Sequence, residues 1–118
     1  GIRIADGSGL SRKNAASANH FCLLLQQIKK EAYYGDFIKT LPAAGKSGTL
    51  AGICRGQAAE GRVFAKSGTL SRVKSYAGYV ETKSGKHIAF AILVNNHTAS
   101  GKAISSGMAS LFNAMAVY

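Results

Sequence analysis

From Ile88 to Val94 the chain carries no polar side chain. A strand with one face in water alternates apolar and polar residues, so an unbroken run of this length reads as a strand covered on both faces. That requirement constrains the architecture more than any other feature, because something must pack above the strand and something below it. The run is far too short to cross a bilayer, which takes about eighteen apolar residues, and so is the other apolar run, Phe21 to Leu25. Lys83-Ser84-Gly85-Lys86 before it has the small and polar residues of a hairpin connection. Upstream, Tyr76, Gly78 and Val80 alternate with Ala77, Tyr79 and Glu81, which predicts a strand over Ser75 to Thr82. Another strand is expected from Arg62 to about Lys66. The three are expected to be antiparallel, with His87 to Asn95 in the central position.

The covering layers are expected to be helical. After Ser17, a suitable N-cap, Phe21, Leu24, Leu25, Ile28 and Ala32 recur at helical spacing, and Lys29-Lys30 suit the negative end of a helix dipole. A short helix through Phe37, Ile38 and Leu41 should stop at Pro42, which excludes its predecessor from helical geometry. A last helix, capped by Ser100 or Thr98, places Ile104, Met108, Leu111, Phe112 and Met115 on one stripe. Ala43 to Glu60, with four glycines, reads as loop, and Asp6-Gly7-Ser8-Gly9 as a tight turn. The fold class is α+β: helices, a three-stranded antiparallel sheet and a C-terminal helix. At 118 residues and 47% hydrophobic, one domain with a modest core is expected.

Fifteen Lys and Arg against five acids give a net charge of +10, so anionic partners must be weighed. The charges are scattered, with no run of five, which describes solvated faces better than a polyanion site. A small basic nucleic-acid-binding module would interleave basic and aromatic residues on one sheet face, whereas Tyr76 and Tyr79 fall on opposite faces and Phe90 in a buried run. Cys22 and Cys54 lack any Cys-x-x-Cys or Cys/His spacing, so no metal site is expected. Cys22, in an apolar helix, is expected to be the buried thiol, and Cys54, in a glycine-rich loop, to be free. His20, His87 and His97 share no ligand spacing, and the scattered acids offer no acid and base pair. Gly45-Lys46-Ser47 lacks the earlier glycine and the strand of a phosphate-binding loop. No cofactor is implied.

What remains is Lys66-Ser67-Gly68-Thr69, at the expected end of a strand. An ammonium there supplies charge, a neighbouring hydroxyl a directed hydrogen bond, and a glycine lets a ligand approach the backbone, which together suit an anionic substrate tail. The same string, Lys-Ser-Gly-Thr-Leu, stands at Lys46 to Leu50, so on its own the motif is weak.

Its context is stronger. Asp6-Gly7-Ser8-Gly9-Leu10-Ser11-Arg12 with Asn14, Leu41-Pro42-Ala43-Ala44-Gly45, Gly48-Thr49-Leu50, Ala65-Lys66-Ser67-Gly68-Thr69-Leu70, Ala77-Gly78-Tyr79-Val80 and Phe90-Ala91 through Asn95 follow in this order. Together they resemble the low-molecular-mass class C penicillin-binding proteins, the D-Ala-D-Ala carboxypeptidase and endopeptidase family, over essentially the whole chain. The resemblance implies a serine β-lactamase-like fold, of which residues 1–118 would be a C-terminal segment of the catalytic domain. It implies an acyl-enzyme mechanism built on three motifs, S-x-x-K, S-x-N and K-T-G, of which only the third is found here, with serine in place of threonine. Ser71 to Lys74 matches S-x-x-K but falls between two strands, where the family has no nucleophile. By this resemblance Lys66 is the catalytic lysine. Ser67, Gly68 and Thr69 bind substrate, with the Thr69 N–H in the oxyanion hole, while Asp6 and Ser8 shape the cleft's surroundings. The implied partners are a peptidoglycan peptide or a β-lactam, in the periplasm or cell envelope. The chain alone is expected to be inactive and to self-associate through an edge that an earlier strand would otherwise cover. A non-catalytic wall-binding module of the same family would share every motif.

Overall fold

The computed structural model describes residues 1–118. In chain order come α1 (Ala18–Ile28), α2 (Tyr34–Thr40), a 3-10 turn (Gly48–Leu50), β1 (Val63–Leu70), β2 (Val73–Glu81), β3 (His87–Asn95) and α3 (Gly101–Ala116). The strands form one antiparallel sheet in the order β1-β2-β3. The element types and order follow the sequence expectations, with local corrections. β1 runs to Leu70, so the Lys-Ser-Gly-Thr motif lies inside a strand and not at its end. β3 is an edge strand and β2 the central one. Continuous apolarity reports cover above and below, which helices supply here, and carries no information about a neighbour along the hydrogen-bonding edge.

The starts of α1 and α3 follow from capping chemistry, whereas α2 begins without a side-chain cap. Ser17 accepts from the His20 N–H at 3.3 Å and the His20 ring accepts from the Ser17 N–H at 3.0 Å, a reciprocal box with histidine where Glu or Gln is usual. Ser100 caps α3 by accepting from the Ala103 N–H at 3.2 Å.

One sheet face packs on α3. Phe112 lies edge-on to Tyr76 and Phe90, with centroids 5.3 and 5.5 Å apart, and Val63, Ala65, Val80, Met108 and Ala116 close the core around them. Leu111 points outward, 49% exposed. Gly78 lets β1 and β2 approach closely: a Cβ there would strike the Phe64 carbonyl oxygen and sit 2.7 Å from the Ala65 Cα. The opposite face packs on α1 and α2. Tyr79, fully buried, donates its hydroxyl to the Leu25 carbonyl at 2.7 Å and meets Tyr34 edge-on at 5.1 Å. Leu25 is the one buried residue of α1, and Phe21 and Leu24 are exposed. The inward stripe is Ala18, Cys22, Leu25 and Ile28, shifted from the predicted one. On a helix apolar on most sides, periodicity alone does not say which stripe faces the sheet.

Loop 42–61 is lashed to β1. The Ala44 N–H donates to the Val63 carbonyl at 2.9 Å and the Ala65 N–H to the Pro42 carbonyl at 3.0 Å. Asn113 of α3 holds the far side of the loop, accepting from the Ala59 N–H at 2.9 Å and donating to Gln57 at 2.6 Å.

Candidate active site

Alternate residues of an antiparallel strand turn their backbone groups to opposite edges. Val63 and Ala65 turn theirs outward, to the loop. The same alternation places the backbone groups of Ser67 and Thr69 on that outer edge, past the point where the loop covers it, and no loop backbone bonds to them. β1 therefore ends in an open edge that begins at the motif.

Lys66 is exposed and lies on the α1 side of the sheet. Its ammonium curls over the edge to the Ser67 carbonyl at 2.6 Å and has no carboxylate partner. The duplicate string behaves differently. The Lys46 ammonium pairs with Glu60 at 3.1 Å, holding that carboxyl below its ordinary range together with the Gly56 N–H, and Ser47 accepts from the Ala43 N–H at 2.9 Å. The Lys46 and Ser47 side chains of the first copy are spent on closing the loop, whereas the Lys66 ammonium has no carboxylate partner.

Ser67 projects to the α3 side, and its hydroxyl donates to Thr49 Oγ1 at 2.9 Å. Thr69 Oγ1 accepts from the Lys74 ammonium at 2.7 Å, which also stands 5.2 Å from the Tyr76 ring centroid. Gly68 faces Ser75, whose Oγ would lie 2.6 Å from any added Cβ. The structure thus brings Lys66 to the Ser67 backbone but sends the two side chains to opposite faces. Thr49 and Lys74, which touch the motif, were given no role in the site from the sequence. The repeated Lys-Ser-Gly-Thr-Leu string and the Gly48-Thr49-Leu50 segment of the family resemblance were the available signals for Thr49, and nothing marked Lys74 as a neighbour of Thr69. Ser71 lies in the β1–β2 turn, and the Lys74 ammonium is bonded to Thr69.

Asp6 and Ser8 belong to a loop closed on itself. Asp6 accepts from the Ser8 hydroxyl at 2.5 Å, the Asn14 amide at 2.6 Å and the Ser11 N–H at 3.2 Å, and the first two contacts lead in holding its carboxyl below the usual range. None of the hydrogen bonds of this loop reaches β1. Two cavities, of about 650 and 430 Å³, open around His87 at the other end of the sheet. There His87 Nδ1 lies 3.0 Å from the Tyr34 hydroxyl and the Lys29 ammonium reaches the His87 carbonyl at 2.7 Å. Lys66 lines neither cavity. No group of three or more His, Cys, Asp and Glu side chains is gathered for a metal.

The helix-covered antiparallel sheet is a fold shared with penicillin-binding proteins. The chain superposes on penicillin binding protein 4 (dacB) from Haemophilus influenzae, solved with a β-lactam, with a TM-score of 0.89 and 27% identity over 99% of this chain and 29% of that one. A predatory endopeptidase of Bdellovibrio bacteriovorus, solved with an immunity protein, superposes with a TM-score of 0.74 and 26% identity over 97% of this chain and 33% of that one. Residues 1–115 match the D-Ala-D-Ala carboxypeptidase 3 (S13) family, and the chain belongs to that family. A D-alanyl-D-alanine carboxypeptidase of an Actinomadura species is 43% identical over 103 residues, which are 83% of this chain and 19% of the relative. The DacB carboxypeptidase of Haemophilus influenzae is 33% identical over 99 residues, 80% of this chain and 20% of the relative. The chain thus spans about a fifth of the length of these relatives.

Proposed function

We propose that this chain is a segment of the catalytic domain of a serine-type D-Ala-D-Ala carboxypeptidase or endopeptidase acting on peptidoglycan stem peptides in the periplasm or cell envelope, and that it supplies the Lys-Ser-Gly wall of the cleft. The observation that carries the reading is the Lys66 ammonium, unpaired at the open edge of β1, while its sequence twin Lys46 is closed on Glu60.

In this reading an extended substrate lies along the open edge. Its terminal carboxylate is drawn by Lys66 and accepts a hydrogen bond from the Ser67 hydroxyl. Gly68 lets it approach, and the outward Thr69 N–H donates to the oxygen that becomes negative when the carbonyl is attacked. The attacking serine and its lysine come from polypeptide outside these residues. The serine oxygen bonds to the carbonyl carbon, the C–N bond breaks, and the terminal D-alanine leaves with the proton. Water then cleaves the acyl-enzyme. In this reading the loop that Asp6 and Ser8 brace belongs to the cleft's surroundings and not to the reacting groups.

The full-length gene product should be labelled stoichiometrically by a fluorescent penicillin, and Lys66→Ala should slow labelling about ten- to a hundredfold, as expected for losing a hydrogen bond to a charged group. The isolated 118-residue chain should not be labelled, and should associate through the bare β3 edge in sedimentation. Labelling of the isolated chain, or an unaffected Lys66→Ala protein, would overturn the reading.

A further inference from the structure

We infer that Thr49 is a positioning residue for the substrate-binding hydroxyl of Ser67, an inference that rests on the function proposed above. The Ser67 hydroxyl donates its single proton to Thr49 Oγ1, 2.9 Å away. To donate to a substrate carboxylate it must release Thr49, and its oxygen then has a lone pair facing the Thr49 hydroxyl. Thr49 can rotate its own proton into that position, since each hydroxyl has one donor and two acceptor sites. The bound state is a directed chain from the Thr49 O–H to the Ser67 O–H to the carboxylate, in which each bond polarises the next. Thr49 therefore selects the Ser67 rotamer before binding and strengthens its donation afterwards.

The neighbouring structure holds Thr49 in place. Leu50 is fully buried, and its carbonyl accepts from the Gly45 N–H at 2.9 Å. Gly48 has a φ of 53° and lies against Pro42, where a Cβ would come 3.0 Å from the ring, so a side chain there would displace the turn. Ser47 accepts from the Ala43 N–H at 2.9 Å, and the Ala65 N–H donates to the Pro42 carbonyl at 3.0 Å. The Thr49 side chain itself is exposed, so its hydroxyl does no core packing. The duplicated Lys-Ser-Gly-Thr-Leu string thereby acquires two roles: the second copy meets the ligand, and the threonine of the first aims the serine of the second.

The test uses the full-length gene product, with penicillin acylation rates and with kcat and KM on a D-Ala-D-Ala-terminated peptide. Thr49→Val keeps the shape and removes the hydroxyl. It should lower acylation efficiency roughly two- to tenfold, the value of one neutral hydrogen bond. The loss should fall on KM, because carboxylate anchoring acts on ground and transition states alike. Thr49→Ser should restore the wild-type value, with unchanged Tm in all variants. In a Ser67→Ala background Thr49→Val should change nothing further, since its route is gone. The inference is overturned if Thr49→Val matches wild type while Ser67→Ala is impaired, or if Thr49→Val costs the same in both backgrounds. A wild-type protein that penicillin does not acylate sinks the proposed function and this inference with it; acylation with a silent Thr49→Val sinks the inference alone.

Discussion

The two faces of the sheet are finished to different degrees. On the α3 face the aromatic rings of Tyr76, Phe90 and Phe112 interlock and nothing large is left in solvent between helix and sheet. On the α1 face Tyr79 and Leu25 are buried, but Phe21, Leu23 and Leu24 stand 36, 55 and 56% exposed on the helix that covers it. Lys66 and Gly68 lie on this less finished side. The difference separates two kinds of apolar residue in one sequence: those that hold this segment together, and those that α1, packed over β3 and β2, leaves exposed. An exposed apolar surface of that kind is suited to being covered by further polypeptide.

The contrast is most directly broken by truncating one residue from each face. Phe112→Ala should cost about 3–5 kcal/mol in chemical denaturation, since it leaves a cavity between two rings. Leu24→Ala in the same chain should change stability by no more than about 0.5 kcal/mol, the usual effect at an exposed site. Equal costs would mean that the α1 face is as closed as the other. Repeating Leu24→Ala in the full-length gene product sharpens the point: a cost rising above about 1 kcal/mol there would show that further polypeptide covers α1.

Tyr79 is the polar anchor of the α1 face. Tyr79→Phe removes a buried hydroxyl that donates to the Leu25 carbonyl, but that oxygen also accepts from the Lys29 N–H at 3.0 Å and is not orphaned. The expected cost is therefore about 1 kcal/mol. Burial pushes the Tyr79 phenol up from 10.0 to about 12, with the neighbouring Tyr34 and Tyr33 adding to it. A raised folded-state value means that the neutral phenol is favoured by folding. Its contribution is whole below pH 10 and is lost as pH climbs from there through about 12. Tyr79→Phe should flatten that alkaline decline in a stability-against-pH series, leaving a residual slope from Tyr34 and Tyr76, whose values burial also raises. An unchanged slope would mean that Tyr79 is not protected on this face.

The same contrast explains what was legible in the sequence. Local signals were read correctly: the Ser17 cap, the Pro42 stop and the apolar run of β3 each depend on residues close in the chain, and of the two caps offered for α3, Ser100 and Thr98, the first is the one used. The motif copy at Lys66 was separable from the one at Lys46 by its strand context, and family resemblance supplied its meaning. What failed was orientation across distance. Of the expected α1 stripe of Phe21, Leu24, Leu25, Ile28 and Ala32, Leu25 and Ile28 face the sheet, but Phe21 and Leu24 do not, because a helix apolar on most sides has no single moment to read. β3 was placed in the centre because apolarity reports faces and not edges. Thr49 could not be paired with Ser67, since that contact crosses eighteen residues and depends on how a glycine-rich loop docks.

The smallest expected effect concerns the thiols: both are free, Cys54 as expected, but the buried one is Cys54 and not Cys22. Cys22 sits in α1 at intermediate exposure, while Cys54 is 3% exposed in the loop that packs against α3, its Sγ 3.7 Å from the Ala109 carbonyl. Cys54 takes a φ of 61°, and its side chain lies against α3. The thiolate is the reactive form, and burial pushes the Cys54 thiol up, so both access and ionisation protect it. With a small disulfide reagent near pH 8, Cys22 should be modified first and Cys54 only as fast as the α3 face opens. Cys22→Ser should abolish the fast phase, and the slow phase should accelerate with denaturant in step with unfolding. Should Cys54 react first in the native protein, the α3 face would be the looser of the two, and the assignment of the α1 face as the unfinished side of the sheet would have to be given up.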